Sequence, residues 1–366
     1  MMPRKGTSAA LLLLIISALV ELAFSFAPAG ANRRKCGLSV TVTTRTTGST
    51  QLSSTLGDVA GILYEEPVFR PPAEWRSLIL QVTIGCSWNR CTFCEMYQGK
   101  DFRAKPIDAI AREIDNVVAA GGADYVRDVF LADGDAMTLP TGQLEHILDA
   151  INERLPRVRR ISSYCLPRNI RGKSLEALSI LRSKGLSLVY VGCESGDDVV
   201  LSAVNKGETY ESSLGALTKL KDAGIKRSVM ILIGLGGREH SERHAERSAA
   251  LCNEARPEYL SVLTTSFPRG KGRVEIGYEK NGDSRENFAE LTPREGLAEL
   301  ELFLQSIDMP RSGKTIFRSD HASNYLVLKG RLGRDRDKLL QDLRDVLDAS
   351  PEDDKRNLRP EWARGL

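Results

Sequence analysis

The chain has 366 residues, of which 42% are apolar and 27% are charged, a composition typical of a folded globular protein rather than a disordered, collagen-like or coiled-coil one. Its 51 basic and 48 acidic side chains are unevenly placed, because residues 1–57 hold six basic residues and one acidic residue. The remaining 309 residues therefore carry a net charge of −2, which gives no support for nucleic-acid binding. A single long apolar run, near the N terminus, excludes a multi-span membrane protein.

Residues 1–57 have the composition of a targeting segment. Arg4 and Lys5 precede the apolar run Ala9–Val20, which is too short to span a bilayer comfortably. The stretch that begins at Phe26 is rich in serine and threonine and contains basic residues but no acid, as transit peptides do. Together they resemble the bipartite presequence of algae with secondary plastids, which has an aromatic residue at the cleavage site. We expect a signal peptide at 1–25 and a plastid transit peptide at 26–57, with import into the stroma and no membrane association afterwards. The secretory pathway is the alternative.

Strands and helices alternate along the rest of the chain. Apolar, β-rich runs predict six strands, at Ser77–Gly85, Val129–Ala132, Val158–Cys165, Leu186–Cys193, Ile225–Ile233 and Tyr259–Thr265. Helical periodicity predicts helices between them, at Ile107–Ala120, Thr141–Leu155, Ser174–Lys184, Glu211–Ala223 and Arg243–Ala255. This alternation is typical of parallel strands in βαβ units, so we predict an α/β fold, a full or partial parallel (β/α)6 TIM-like barrel. In such barrels the functional residues follow the carboxyl ends of the strands.

A C-terminal helical extension is predicted beyond the barrel. Lys271–Asn287 is polar and predicts a loop, while Thr292–Ile307 and Arg334–Leu347 predict helices. The charged tail after Ser350 is expected to fray. We therefore divide the mature chain into an N-terminal extension at 58–76, a core at 77–290 and a C-terminal extension at 291–366.

Three cysteines, Cys86, Cys91 and Cys94, follow directly on the first predicted strand. The other cysteines of the mature chain are single and distant, and are expected to be small buried side chains: Cys165, Cys193 and Cys252. Three thiolates on one loop can wrap a metal, and no nearby fourth cysteine completes a four-cysteine zinc or rubredoxin-like site. Three ligands suit a 4Fe–4S cluster with one iron open to a small molecule, and a structural zinc loop is the alternative.

The cysteine loop, the apolar residue Phe93 before its last cysteine and the six βα units resemble the radical S-adenosylmethionine superfamily. The similarity is to an Elp3/MiaB/NifB-like core and to single-cluster bacterial members without an assigned substrate. It covers about Ser77–Thr265, although four residues separate Cys86 from Cys91 where the commonest family spacing is three. The resemblance implies a 4Fe–4S cluster whose open iron binds S-adenosylmethionine, reductive cleavage to a 5′-deoxyadenosyl radical, and hydrogen abstraction from a substrate that the sequence does not identify.

The resemblance also implies a set of residues that bind S-adenosylmethionine: Phe93, Asp133, Gly134, Asp135, Glu194, Ser195 and Gly234. The turn at 133–135 follows the second strand, where the family binds the methionyl amine, although its residues differ from the usual Gly-Gly-Glu-like turn. Glu194 and Ser195 follow the fourth strand, where family members place polar residues for the ribose or the carboxylate. Gly234 corresponds to the glycine of the adenine-side motif, and Phe93 is expected near the adenine. A turn that caps the next helix is the alternative for 133–135 and for 194–196.

The stretch Phe317–Tyr325 collects Arg318, His321 and Asn324 beyond the last predicted barrel strand. We expect a loop that closes over the barrel mouth and uses these three side chains to orient the substrate, because a radical must be shielded from water. A plug in the open side of an incomplete barrel is the alternative.

Two functions of different classes remain. The first is a radical enzyme that receives an electron from a donor such as ferredoxin or flavodoxin. The second is a non-catalytic metal- or RNA-binding barrel. The glutamates around His240 and His244 indicate a solvated helix face, and metal binding by this i, i+4 pair is the alternative.

Overall fold

A computed structural model describes residues 61–280 and 288–364. The signal and transit segments predicted at 1–57 lie outside the described residues, as do residues 281–287 of the loop predicted after Lys271. The described residues belong to one compact unit. Within them, no helix combines the length and the apolar character needed to cross a membrane.

The centre of the fold is an open eight-stranded sheet. The strands are, in chain order, β1 (Leu78–Gln81), β2 (Thr83–Ile84), β3 (Arg103–Ala104), β4 (Asp128–Ala132), β5 (Arg160–Cys165), β6 (Leu186–Glu194), β7 (Lys226–Ile233), β8 (Tyr259–Thr264), β9 (Ile316–Arg318) and β10 (Lys329–Arg331). Strands β1, β4, β5, β6, β7, β8 and β9 pair in that order and in parallel, and β10 pairs antiparallel with β9. No pairing within the described residues joins β10 back to β1. The predicted α/β barrel is therefore confirmed in its partial form.

Helices alternate with these strands and pack against the sheet. They are α1 (Ile107–Ala119), α2 (Thr141–Arg154), α3 (Pro167–Arg171), α4 (Leu175–Ser183), α5 (Asp198–Ala203), α6 (Tyr210–Asp222), α7 (Gly237–Ala255), α8 (Gly272–Lys280), α9 (Pro293–Gln305), α10 (Leu332–Asp348) and α11 (Asp354–Asn357). Short polar side chains begin several of them, because they bond the amides that a first helical turn leaves free. Ser174 accepts a hydrogen bond from Ala177 N at α4, and Thr292 forms a capping box with Glu295 at α9.

The two faces of the sheet bury different side chains, because successive residues of a strand point to opposite sides. On β4, Val129 and Leu131 belong to the main core shared with the helices, whereas Phe130 belongs to a separate interior cluster. Phe130, Tyr164 and Tyr190 meet edge to face in that cluster, with ring centroids 5.0 Å, 6.1 Å and 6.2 Å apart. These aromatic rings fill the interior of the partial barrel.

A buried carboxylate fastens the chain before β1 to the same interior. Glu74 is fully buried and accepts hydrogen bonds from Tyr190 Oη at 2.6 Å, Ser77 Oγ at 2.5 Å and Arg160 Nη2 at 2.9 Å. Its partners lie just before β1, on β5 and on β6. One carboxylate therefore joins three neighbouring parts of the barrel.

Three predicted boundaries near the barrel are wrong. The run Ser77–Gly85 is not one strand, because β2 leaves the main sheet to pair with β3. The helix predicted to begin at Arg243 begins six residues earlier, at Gly237. The predicted loop that starts at Lys271 contains α8, which packs so closely on α5 that a Cβ at Gly277 would lie 2.1 Å from a backbone oxygen of that helix. Such packing selects helical structure where local polarity predicts a loop.

The C-terminal region is more than a helical extension, because it adds two strands to the sheet. Arg318, predicted to lie in a loop, ends β9 and pairs in register with Ser261 of β8. The charge of the tail after Ser350 predicts fraying, but its described part is bonded to the rest of the fold. Asp354 forms an ion pair with Arg294 at 2.8 Å, and further contacts of the tail are described below with the site.

We predict that Glu74→Ala destabilises the fold by about 3 kcal/mol, since three buried or half-buried donors lose their common acceptor. The free energy of unfolding from urea titration measures this change. Glu153→Ala is the matched control, because the Glu153 side chain is 73% exposed and forms one surface ion pair, and it should cost less than about 0.5 kcal/mol. Equal effects of the two substitutions would contradict the structural role of Glu74.

Candidate functional site

The candidate site lies at the carboxyl ends of the parallel strands, as the fold predicts. The cysteine loop follows β2, and the turn at 133–135 follows β4. Gly134 N donates to Gly85 O at 3.1 Å, and Gly85 N donates to Asp133 Oδ2 at 3.2 Å, so the two segments are bonded to each other. A Cβ at position 134 would lie 2.9 Å from the Cβ of Cys86, which explains why glycine occupies this position.

Cys86, Cys91 and Cys94 are free thiols on one loop, with Cys91 buried and the other two half-buried. Burial raises the pKa of the Cys91 thiol to about 12, the Lys206 ammonium lowers it, and the Cys94 and Cys86 thiols raise it. Burial likewise raises the pKa of Cys86 and Cys94. Cys86 and Cys94 therefore both lie within electrostatic reach of Cys91.

The segment that follows α5 supports this loop. Thr92 N donates to Val204 O at 2.9 Å, and the indole nitrogen of Trp88 donates to Asn205 O at 2.8 Å. The Asn205 amide in turn donates to Arg90 O at 3.3 Å. Nothing in the sequence signals this support, because all three bonds are accepted by main-chain carbonyls, which every residue type carries.

Lys206 places a buried positive charge beside the thiols. Its Nζ lies 2.8 Å from Glu194 Oε1, and the two side chains are 3% and 12% exposed. Burial by itself would lower the pKa of Lys206, but the Glu194 carboxylate and the Cys91 thiol raise it above its usual value. Glu194 is the last residue of β6, whereas the sequence predicts that strand to end at Cys193, and nothing in the sequence around Lys206 indicates a role in the site.

The two carboxylates of the 133–135 turn have different partners. Asp133 Oδ2 forms an ion pair with Lys100 Nζ at 2.7 Å, while Oδ1 is buried beside the Tyr97 hydroxyl with no hydrogen bond of ordinary geometry. Asp135 accepts hydrogen bonds from Ser87 N at 3.0 Å and from Ser87 Oγ. Burial raises the pKa of both carboxyl groups, and the bonds from Lys100 and Ser87 oppose that rise.

A buried network lies behind the ends of β6 and β7. His244 Nδ1 is 2.8 Å from Ser195 Oγ, and His244 Nε2 is 3.0 Å from Leu232 O and 3.6 Å from Glu299 Oε1. Glu299 Oε1 also accepts a hydrogen bond from Gly234 N at 2.7 Å. The Ser195 hydroxyl is thus engaged inside the protein. The predicted solvated histidine face is wrong, because α7 packs this side against the sheet and His244 is fully buried.

Phe93 packs against a small apolar cluster at the edge of the site that includes Val200, Leu235 and Tyr278. His240, the second histidine predicted to be solvated, is also buried and stacks on Tyr278 with ring centroids 5.7 Å apart. The cysteine loop therefore packs on apolar side chains on the side of α8.

The loop after β9 is bonded to its surroundings through both side chain and backbone. The Asn324 amide donates to Val262 O at 2.8 Å and accepts from Thr264 Oγ1 at 3.0 Å, so both of its polar ends are engaged with β8. His321 Nδ1 lies 2.9 Å from Ser323 Oγ. From the tail, Arg359 Nη1 donates to the backbone oxygens of residues 321, 322 and 324 at 2.8–3.0 Å.

Arg318 differs from the other two predicted substrate residues. Its guanidinium carbon lies 5.9 Å from the ring centroid of Tyr259, a residue that packs against the interior aromatic cluster. Its Nε is buried and has no hydrogen-bond acceptor among the described residues. A buried guanidinium nitrogen without an acceptor is costly and is available to a ligand.

The residues present suit an iron–sulfur cluster by their donor chemistry. Three thiols on one loop provide soft sulfur ligands, and Gly134 leaves room beside Cys86 that any side chain would fill. Arg273 donates to Cys91 O at 3.0 Å and to Cys94 O at 3.1 Å, which fixes the loop backbone from the side of α8. Among the described residues, no three or more His, Cys, Asp or Glu side chains are grouped so as to hold a single metal ion.

Comparison with known families agrees with this geometry. Residues 80–250, which include the cysteine loop and β4 to β7, match the model of the Radical SAM superfamily. The match indicates a radical S-adenosylmethionine superfamily domain within residues 80–250. This superfamily uses a 4Fe–4S cluster and S-adenosylmethionine.

Curated relatives match part of the chain. The heme chaperone HemW of Bacillus subtilis (strain 168) is 23% identical over 179 residues, which cover 48% of this chain and 46% of HemW. A tRNA-2-methylthio-N(6)-dimethylallyladenosine synthase of Roseiflexus sp. (strain RS-1) is 24% identical over 258 residues, which cover 68% of this chain and 50% of the synthase. The chain thus spans about half the length of these relatives.

Among solved structures, the radical S-adenosylmethionine methyltransferase TsrM of Kitasatospora setae, solved with cobalamin and a [4Fe-4S] cluster bound, has a TM-score of 0.50 at 16% identity. The match covers 77% of this chain and 65% of TsrM. At this identity the likeness supports the shared partial-barrel fold.

We predict that Gly207→Ala weakens the docking of the cysteine loop onto the segment after α5. Gly207 has a φ of 70°, and a Cβ there would lie 2.4 Å from the Trp88 ring and 2.3 Å from the Arg168 guanidinium, which stacks on that ring at 3.7 Å. The strained backbone and the displaced ring should lower stability by about 1–3 kcal/mol. They should also lower the iron retained per chain after anaerobic reconstitution.

Gly215→Ala is the matched control, because a Cβ at Gly215, within α6, meets no atom within 4 Å. It should leave the iron content unchanged. If Gly207→Ala retains as much iron as Gly215→Ala, the loop does not depend on this contact.

Proposed function

We propose that this protein is a radical S-adenosylmethionine enzyme whose single 4Fe–4S cluster is held by Cys86, Cys91 and Cys94. The observation that carries the proposal is the position of these three thiols, on one loop at the carboxyl edge of the sheet and within the matched domain. When bound, the cluster supplies the electron for reductive cleavage of S-adenosylmethionine, and the resulting 5′-deoxyadenosyl radical abstracts hydrogen from the substrate.

The chain's own residues hold and orient the cofactors in this proposal. Asp133, with one buried carboxylate oxygen left without an ordinary hydrogen bond, accepts from the methionyl ammonium. Glu194 and Lys206 offer a carboxylate and an ammonium beside the thiols, for the ribose and carboxylate of the same molecule. Ser195 acts from behind, because its hydroxyl bonds to His244 and thereby fixes the end of β6.

Access to the site follows from the same positions. Arg90 and residue 87 of the cysteine loop are exposed, so a soluble donor such as ferredoxin or flavodoxin can approach the cluster from this side.

Arg318 faces a substrate from the interior of the barrel and pairs with an anionic or strongly polar group. His321 and Asn324 fasten the loop that carries them, which favours the plug over the lid for these two side chains.

The cluster assignment predicts that Cys86→Ala, Cys91→Ala and Cys94→Ala each lose the brown absorbance, the iron and sulfide, and the formation of 5′-deoxyadenosine from S-adenosylmethionine. Anaerobic reconstitution followed by iron and sulfide analysis measures this loss. Cys252→Ala, a change at a buried thiol outside the site, should retain all three properties. Stoichiometric zinc in place of iron, after anaerobic purification from iron-replete cells, would contradict the proposal.

The loop assignment predicts different outcomes for two substitutions. Arg318→Gln should keep the cluster and the basal formation of 5′-deoxyadenosine but lose any stimulation by a metabolite extract. Asn324→Ala should instead lower the free energy of unfolding by about 1–3 kcal/mol, because two partners on β8 lose their bonds. Arg331→Gln, an exposed change on β10, is the control. Stimulation that survives in Arg318→Gln contradicts the assignment of Arg318 to the substrate.

A further inference from the structure

A second polar cleft lies outside the cysteine site, between the start of α2 and the end of α3. Its volume is about 670 Å³, within the range of small-ligand sites. Three of its lining residues are cationic and none is acidic: Arg168, Arg171 and Lys173. The mechanism proposed above uses none of these three side chains on a cofactor.

Lys173 lines this cleft, and its ammonium is buried without a carboxylate to balance its charge. The residue is 8% exposed, and its Nζ donates to Leu139 O at 2.6 Å. Among the described residues, no carboxylate pairs with it, and burial lowers its pKa. An ammonium has three donors, and a buried one is stabilised by an anion.

Other donors surround the same cleft. The helix α2 has 14 residues, and its N-cap, Pro140, provides no side-chain bond to the first amides. The N–H groups of Thr141 and Gly142 therefore have no acceptor among the described residues. The Arg171 side chain is exposed and unpaired within the same part of the chain, and the hydroxyls of Thr138 and Thr141 line the cleft.

We propose that this cleft binds the phosphate group of a small ligand. The donors are an ammonium, a guanidinium, two hydroxyls and the amides of a helix N terminus, more than the two oxygens of one carboxylate can satisfy. The terminal oxygens of a phosphate can accept from all of these groups, and helix N termini favour such an anion. The remaining volume accommodates an organic group attached to the phosphate.

The cleft is adjacent to the cysteine site but distinct from it. Asn169, which lines the cleft, places its amide 3.5 Å from the carboxylate of Asp135. This is the contact through which a bound phosphate can influence the cysteine loop. The phosphate site does not require radical chemistry, so it stands or falls separately from the proposed function.

Isothermal titration calorimetry of the cluster-loaded protein, at constant ionic strength in a chloride buffer, tests this site. The probes are inorganic phosphate, glycerol 3-phosphate and malonate. We expect one phosphate site per chain, with malonate at least tenfold weaker. Tighter binding of glycerol 3-phosphate than of inorganic phosphate identifies an ester as the ligand, and the reverse order identifies free phosphate. No saturable phosphate binding, or equal binding of malonate, overturns the proposal.

Substitutions locate the binding. Arg171→Gln and Thr141→Val should each weaken phosphate binding by about tenfold, since each removes a donor to the anion. Lys221→Gln, which removes an exposed positive charge on α6, is the matched control and should change binding less than twofold. If Arg171→Gln behaves like Lys221→Gln, the binding reflects net charge alone and the cleft is not the site.

Discussion

The docking of the cysteine loop onto the segment after α5 is the interaction on which the rest of the candidate site depends. A loop that carries three thiols has too few apolar side chains to fold on its own, so its geometry comes from bonds to neighbours. Thr92 N and the Trp88 indole provide two of these bonds, to the carbonyls of Val204 and Asn205. Arg273 binds the loop carbonyls from the other side, so the thiols are held between α5 and α8.

The same docking brings charge to the thiols. Lys206 follows directly on Asn205, and its buried ammonium lies within electrostatic reach of Cys86 and Cys91 while it pairs with Glu194. Three thiolates gathered without a nearby cation would repel one another, and the ammonium offsets part of that repulsion. The salt bridge also joins the end of β6 to the segment after α5 that supports the loop, so Lys206 contributes both a positive charge and a structural link.

The open sheet leaves one edge of the barrel interior, at β8, without a neighbouring strand from the first six. The region after α9 covers this edge, because it adds β9 and β10 and its loop at 319–325 runs along β8. Asn324 bonds this loop to β8, and Arg359 of the tail bonds to its backbone oxygens. The C-terminal region therefore covers the β8 edge that the first six parallel strands leave exposed, while the sheet stays open between β10 and β1 within the described residues.

Local sequence determined much of this protein. Strand and helix periodicity predicted the alternating order of elements, since burial on a sheet or helix face imposes a period that is visible in the residues themselves. The spacing of Cys86, Cys91 and Cys94 and the resemblance around it predicted the cofactors that the superfamily uses. The turn at 133–135 and Glu194 were predicted at strand ends because parallel strands place those ends on one edge.

Tertiary structure decided what local pattern cannot encode. Lys206, Asn205 and His244 enter the site region through contacts between residues far apart in sequence, and their side chains carry no local signal of that role. His244 lies among glutamates and arginines, yet packing of α7 against β7 buries it. Likewise β9 is three residues long, too short for a periodic pattern, and exists because the edge of β8 offers unpaired backbone groups to it. Burial, charge pairing and strand edges depend on what the fold brings together, whereas the order of elements depends on the chain itself.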